Sequence, residues 1–332
     1  MALVVRRSRL KWWHWGCAVV RPTDRTNQGG KIMGTQVTQA AFGRSAGRQL
    51  PFSEGLDRIE DVPEVFRAPL VARFGATPPR AIIHTPLFDT YGLCIDENLL
   101  AVGDGFWFAA FVANGEVRLY EARFAETRLV TFSQLLLHGE LRLDSGDPSS
   151  SCVIAFNMVV SDLFRAVVRM VLDGFPDPFV PAARVDVAAE SVDALSFKLR
   201  SALQESAPSS GPLLGLASWQ AAASGRRSRD PAPAGLLAAT ARCLFAILDA
   251  LPPREGQPHG SLDRWGKVVT YVNRGFPVAW TLSSVEYGSE LCLLIGHGRA
   301  ASVRVGLPSA AVLAVERLLE RLHEPPAPTS MR

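Results

Sequence analysis

LLAVGDGFWFAAF, residues Leu99–Phe111, decides the reading of this chain, because LLAATARCLFAIL, residues Leu236–Leu248, repeats it in the second half. Aligned without gaps, Leu99/Leu236, Leu100/Leu237, Ala101/Ala238, Phe108/Phe245 and Ala109/Ala246 are identical. Leu99–Val112 is a long run suited to β-structure, and Asn114-Gly115 after it is a strong hairpin signal. Val117, Leu119 and Glu121 continue the return strand, and Tyr120, like Tyr271, ends a Val-rich strand. LVTFSQLLLHGELRLD and SCVIAFNMVV follow as further strands around the turn-rich SGDPSSS. In the second half VAWTLSSVEYG, ELCLLIGHG and ASVRVGL do the same.

Each half then changes to helical spacing. Leu163, Phe164, Val167, Val168, Val171 and Leu172 form one amphipathic stripe, capped by Ser161 and Asp162 and ended by Gly174 and Pro176. Val312, Leu313, Val315, Leu318, Leu319 and Leu322 form the other within Ser309–Leu322. A strand set that ends in one helix must bury that helix's apolar face. The economical answer is a curved sheet or partly closed barrel with the helix over an open end. The expected class is therefore mostly β with α (α+β), in two divergent copies.

The segment QLLLHGELRLDSGDPSSSCVIAFNMVVSDLFRAVV, residues 134–168, resembles bacterial proteins with pleckstrin-homology-like (PH-like) modules. The carrying features are LLLHGELRL, Ala155–Asn157 and the helix from Asp162; LSFKLRSALQ and KVVTYVNR resemble a second module of the same proteins. Gly103-Asp104-Gly105 stands where a Thr-Asp-Arg-like turn belongs, and the second copy keeps Thr240 and Arg242 around Ala241. The resemblance implies tandem PH-like modules, each capped by a C-terminal helix. Such modules take lipids, peptides or proteins, or serve as scaffolds.

The resulting organisation is a basic tail and linker expected to be disordered over residues 1–60, module 1 over 61–178, a linker over 179–194, module 2 over 195–323 and a disordered end over 324–332. Residues 34–60 show no period and read as linker. The whole chain is 48% hydrophobic and 20% charged, a globular balance, with no apolar run long enough to span a bilayer. Cys17, Cys94, Cys152, Cys243 and Cys292 lie far apart without CxxC spacing, as expected of buried small hydrophobes in a reducing compartment.

The tail holds Arg6, Arg7, Arg9 and Lys11 before Trp12, Trp13, Trp15 and Cys17. Its readings are an unstructured extension with Met33 as the true start, an interfacial segment carried by Arg6, Arg7, Lys11, Trp12, Trp13 and Trp15, and a poor export signal. Residues 84–176 hold six Arg against twelve Asp/Glu, whereas residues 195–323 hold fourteen Lys/Arg against nine Asp/Glu. The Thr85–Asn98 loop carries Asp89, Asp96 and Glu97 without Lys or Arg, which speaks against anionic lipid or nucleic acid at copy 1. Arg226, Arg227 and Arg229 form a basic loop in copy 2, either a solvated linker or a binding loop. Opposite charge on the copies suggests that they dock on each other or pair in a homodimer.

No catalytic motif accompanies these elements. Gly103-Asp104-Gly105 lacks the third glycine of a dinucleotide turn, and phosphate-loop, GxSxG, HExxH and Cys/His ligand patterns do not occur. Glu121, Glu126 and Glu140 form no defined acid–base pair, and His14, His84, His138, His259, His297 and His323 are dispersed. No cofactor and no metal is expected. The leading expectation is a non-enzymatic bacterial binding or scaffolding protein, cytoplasmic, with a protein or peptide partner. The alternatives are a peripheral protein at the inner membrane, using the tail and module 2 on anionic lipid, and an enzyme of unrecognised class.

Overall fold

The computed structural model describes residues 52–90, 93–113, 115–179, 192–208, 211–221, 233–249, 266–285, 288–296 and 301–323, all within one compact unit, Gln49–Arg332. In the first half the order is β1 (Glu54–Leu56), α1 (Glu64–Phe74), β2 (Ala81–Thr85), the small hairpin β3 (Phe88–Thr90) and β4 (Leu93–Ile95), β5 (Asn98–Val102), β6 (Phe106–Ala113), β7 (Glu116–Arg123), β8 (Leu129–Leu135), β9 (His138–Asp144), β10 (Cys152–Asn157) and α2 (Ser161–Asp173). The second half runs α3 (Phe197–Ser206), β11 (Gly215–Trp219), β12 (Gly235–Ala239), β13 (Cys243–Leu248), β14 (Gly266–Asn273), β15 (Val278–Val285), β16 (Gly288–Ile295), β17 (Ala301–Leu307) and α4 (Val312–His323). All strand pairs are antiparallel. The chain is mostly β with helices added, the α+β class.

Leu99–Val112 folds as two strands about the turn at Gly103-Asp104-Gly105. Gly105, at φ +82°, lets β5 reverse into β6, and a Cβ on Gly103 would strike the ring of Phe106. The corresponding turn in the second half, residues 240–242, reverses β12 into β13. Both turns close with the same bond: Gly103 N donates to Phe106 O at 2.9 Å and Thr240 N to Cys243 O at 2.8 Å. Pairing of β6 with β7 extends to Ala113↔Glu116. Gly115 supplies a positive φ of +81° there, and Asn114 lies outside the described residues.

The sheets form three layers. The order β1-β2-β5-β6-β7 makes one open sheet and β15-β16-β17 another. Between them, β10-β9-β8-β14-β13-β12-β11 makes a seven-stranded sheet. Its first three strands precede residues 179–194 and its last four follow them, so the segment expected to be a linker divides no sheet. The halves join where β8 pairs β14, from Leu129↔Val272 to Leu135↔Gly266. Among the described residues none of these sheets closes on itself.

Alternation assigns each face. Ile82, Leu99, Ala101, Phe108 and Ala110 bury one face of the first sheet against Phe66, Leu70 and Phe74 of α1. Ile83, Leu100, Val102, Trp107 and Ala109 turn the other way, into the largest core, with Phe132, Leu141, Ile154 and Phe156 of the central sheet. The stripe of α2 enters the same core, Phe164 stacking on Phe156 at 3.9 Å between centroids. Across the β8–β14 junction Phe245, Val269 and Tyr271 continue that face, covered by Leu199 and Leu203 of α3. The opposite face, with Leu237, Leu244, Ala246 and Val272, meets Leu291, Leu293 and Ile295 of the last sheet and Val315, Leu319 and Leu322 of α4. Full burial of each such side chain is worth about 1.5–3 kcal/mol.

Three expectations are corrected. Residues 54–56, read as linker, pair with β2 as an edge strand. Ser161 and Asp162 do not cap α2. A 3-10 turn, Met158–Val160, leads into it, and the Asn157 side chain caps that turn by accepting from Val159 N at 2.9 Å. Tyr120 and Tyr271 lie in corresponding strands but one residue out of step. Neither ends its strand, since β7 runs on to Arg123 and β14 to Asn273.

Candidate protein-binding surface

The residues picked from sequence for binding fall outside what the structure describes. Arg6, Arg7, Lys11, Trp12, Trp13 and Trp15 of the tail, and Arg226, Arg227 and Arg229 of the loop, lie outside the described residues. The surface that stands out was not anticipated. Strand β15, VAWTLSSV, is eight residues long and forms the edge of its sheet, paired on one side with β16 from Val278↔Ile295 to Val285↔Gly288. Val278, Trp280 and Leu282 are half-buried against the core, and Ala279, Thr281, Ser283, Ser284 and Val285 are exposed. No described strand covers its other side.

Edge strands present unpaired N–H and C=O groups, and proteins blunt them with charge, proline or brevity. β15 has none of these. The other eight-residue edge, β7, carries Glu116, Arg118, Glu121 and Arg123, and Glu121 pairs with Arg73 of α1. The uncharged edges β10 and β11 are shorter, at six and five residues. The sequence signal for β15 was present: it is a long alternating strand without one charge. Only its place at an edge was invisible.

A cavity of about 140 Å³ opens where β15 begins. Phe179, Leu244, Phe276, Val278, Leu319 and Leu322 line it. That volume suits one aromatic or branched side chain and is below the 300–1,000 Å³ of small-molecule sites. Arg274 forms part of the wall, buried at 7% exposure. It donates to Thr240 O and Ala241 O, both at 2.8 Å, and burial lowers its pKa. The His323 ring sits between Leu319 O at 2.7 Å and Val278 O at 2.8 Å, tying the end of α4 to the first residue of β15.

Two polar clusters lie elsewhere. Between α2, α3 and β14, Glu205 receives Lys267 Nζ at 2.8 Å and faces Arg165 at 3.6 Å. The Lys267 hydrogen bond holds the Glu205 carboxyl below the usual range. The space there is about 30 Å³, enough for one water. On the first sheet, buried His84 stands between Glu97 Oε1 at 3.0 Å and Glu54 Oε1 at 3.5 Å. Ser53 and Thr85 bond each other at 2.9 Å beside it in sequence, but alternation sends them to the opposite face. That separates imidazole from hydroxyl, so no nucleophile–base pair forms there.

The thiols of Cys152, Cys243 and Cys292 are free. Burial raises all three pKa values, which leaves little thiolate for nucleophilic or redox chemistry. Among the described residues no group of His, Cys, Asp and Glu is arranged to hold a metal, and no helix is long and apolar enough to cross a membrane. Compared with family models, curated proteins and solved structures, the chain gives no match.

Proposed function

We propose that this chain is a non-enzymatic binding or scaffolding protein built from two PH-like modules, and that its partner is a polypeptide that pairs with β15. Each module is a leading helix, a four-stranded meander, a three-stranded meander and a closing helix, with β3 and β4 inserted in the first. The meanders face each other as the walls of a partly open barrel. The observation that carries the binding reading is the long uncharged edge of β15 with a side-chain-sized apolar cavity at its first residue. Strand addition uses these two parts: main-chain hydrogen bonds give affinity, and a pocket for one side chain gives selectivity. A photo-crosslinking residue at Ala279 tests it in cells that make the protein. The expected result is a discrete polypeptide adduct that is lost in a Leu282→Pro variant of unchanged circular dichroism, because the Leu282 N–H faces away from β16. The absence of any adduct contradicts the reading.

A further inference from the structure

We infer that the partner strand at β15 is β15 of a second copy of this chain, paired antiparallel across a two-fold axis; this rests on the reading of β15 as a binding edge. The repeated order of elements makes β15 the counterpart of β8, each being the first strand of a three-stranded meander. β8 is covered: β14 lies along it over its whole length. Among the described residues the same position in the second half therefore stands open where the first half shows that a strand fits.

Two candidates from this chain fit the opening. Repeating the internal junction would bring β7 of another copy, the counterpart of β14. That contact is heterologous, and both of its sides stay available on each molecule, so it builds an open row rather than a closed pair. β7 is also the edge defended by four charged side chains. Self-pairing of β15 closes with two copies. It opposes no like charges, because the strand carries none. With Thr281 on the axis, Ala279 through Ser283 pair, short of the Val278 carbonyl that His323 holds, and same-face alternation sets Trp280 of each copy opposite Leu282 of the other. Two half-buried apolar side chains are covered at each crossing, and the three-stranded sheets merge into one of six.

Light scattering on the full chain at tens of micromolar tests this. The expected mass is twice 36.0 kDa. Thr281→Lys sets two ammonium groups against each other at the axis while changing only an exposed side chain. It is expected to weaken the dimer at least tenfold with an unchanged melting profile, whereas Leu119→Lys on β7 leaves the dimer intact. Thr281→Cys is expected to give a disulfide-linked pair on mild oxidation. A dimer indifferent to Thr281→Lys, or open-ended growth abolished by Leu119→Lys, overturns the inference. A single-chain mass with an Ala279 adduct to a different protein overturns it too but leaves the binding reading. A single-chain mass with no adduct overturns both.

Discussion

Asn273 shows how a few fully buried polar groups hold the two halves in register. Its Nδ2 donates to Thr127 O at 2.8 Å across the β8–β14 junction, and its Oδ1 accepts from Gly275 N at 2.8 Å. Thr127 in turn accepts from Trp107 Nε1 at 2.9 Å, linking the junction to the first sheet. Asn273→Ala strands a buried carbonyl, and the expected cost is about 2–3 kcal/mol, read from the urea midpoint. Glu205 gives a pH signature. Its carboxyl is held low by Lys267, so its contribution is present above the ordinary Glu pKa of about 4.3 and disappears as pH falls through the lowered value. Because Glu205 is half-exposed the effect is modest, and Lys267→Met is expected to flatten the acid limb of the stability–pH curve. The buried thiols of Cys152 and Cys243 are expected to label with a thiol reagent only as the chain unfolds, as peptide mapping across a denaturant series would show.

At the scale of elements, the five identities between Leu99–Phe111 and Leu236–Leu248 were informative because each pair takes the same layer. Leu99, Ala101 and Phe108 face α1, as Leu236, Ala238 and Phe245 face the α3 side, while Leu100, Ala109, Leu237 and Ala246 face the meander that follows. The α2 and α4 stripes were largely legible, since Phe164, Val167, Val168, Val171 and Leu172 are buried, as are Val315, Leu318, Leu319 and Leu322, while Leu163 and Val312 are half-buried and Leu313 is exposed. Helix α1 was not: Pro69 sits inside it, and Val65 and Val71 point outward, which blurs its stripe. The β8–β9 turn holds Leu136 at φ +51°, a strained position for a leucine that is 59% exposed. Leu136→Gly is expected to raise stability by about 0.5–1 kcal/mol, visible as a higher melting temperature.

For the whole molecule, the central sheet was the least legible feature. Pairing of β8 with β14 joins residues far apart in sequence, and nothing local to either strand names its partner. Shared charge asymmetry pointed to docking of the halves by ion pairs. The junction itself is hydrogen-bonded backbone flanked by apolar core, with the Arg165–Glu205 and Arg242–Asp177 pairs at its margin. A shared sheet and a shared core make the halves unfold together, so calorimetry is expected to give one transition with equal calorimetric and van't Hoff enthalpies. The binding candidates named from charge lie outside the described residues, whereas the β15 edge follows from how many strands each sheet has used. Hydrogen exchange along β15 tests that claim most directly. The account predicts that successive amides from Ala279 to Ser283 are protected like those of β8 at tens of micromolar, and that those of Trp280 and Leu282 become fast on dilution. Alternate amides that are fast at every concentration, in the presence of cell extract as well, would contradict it.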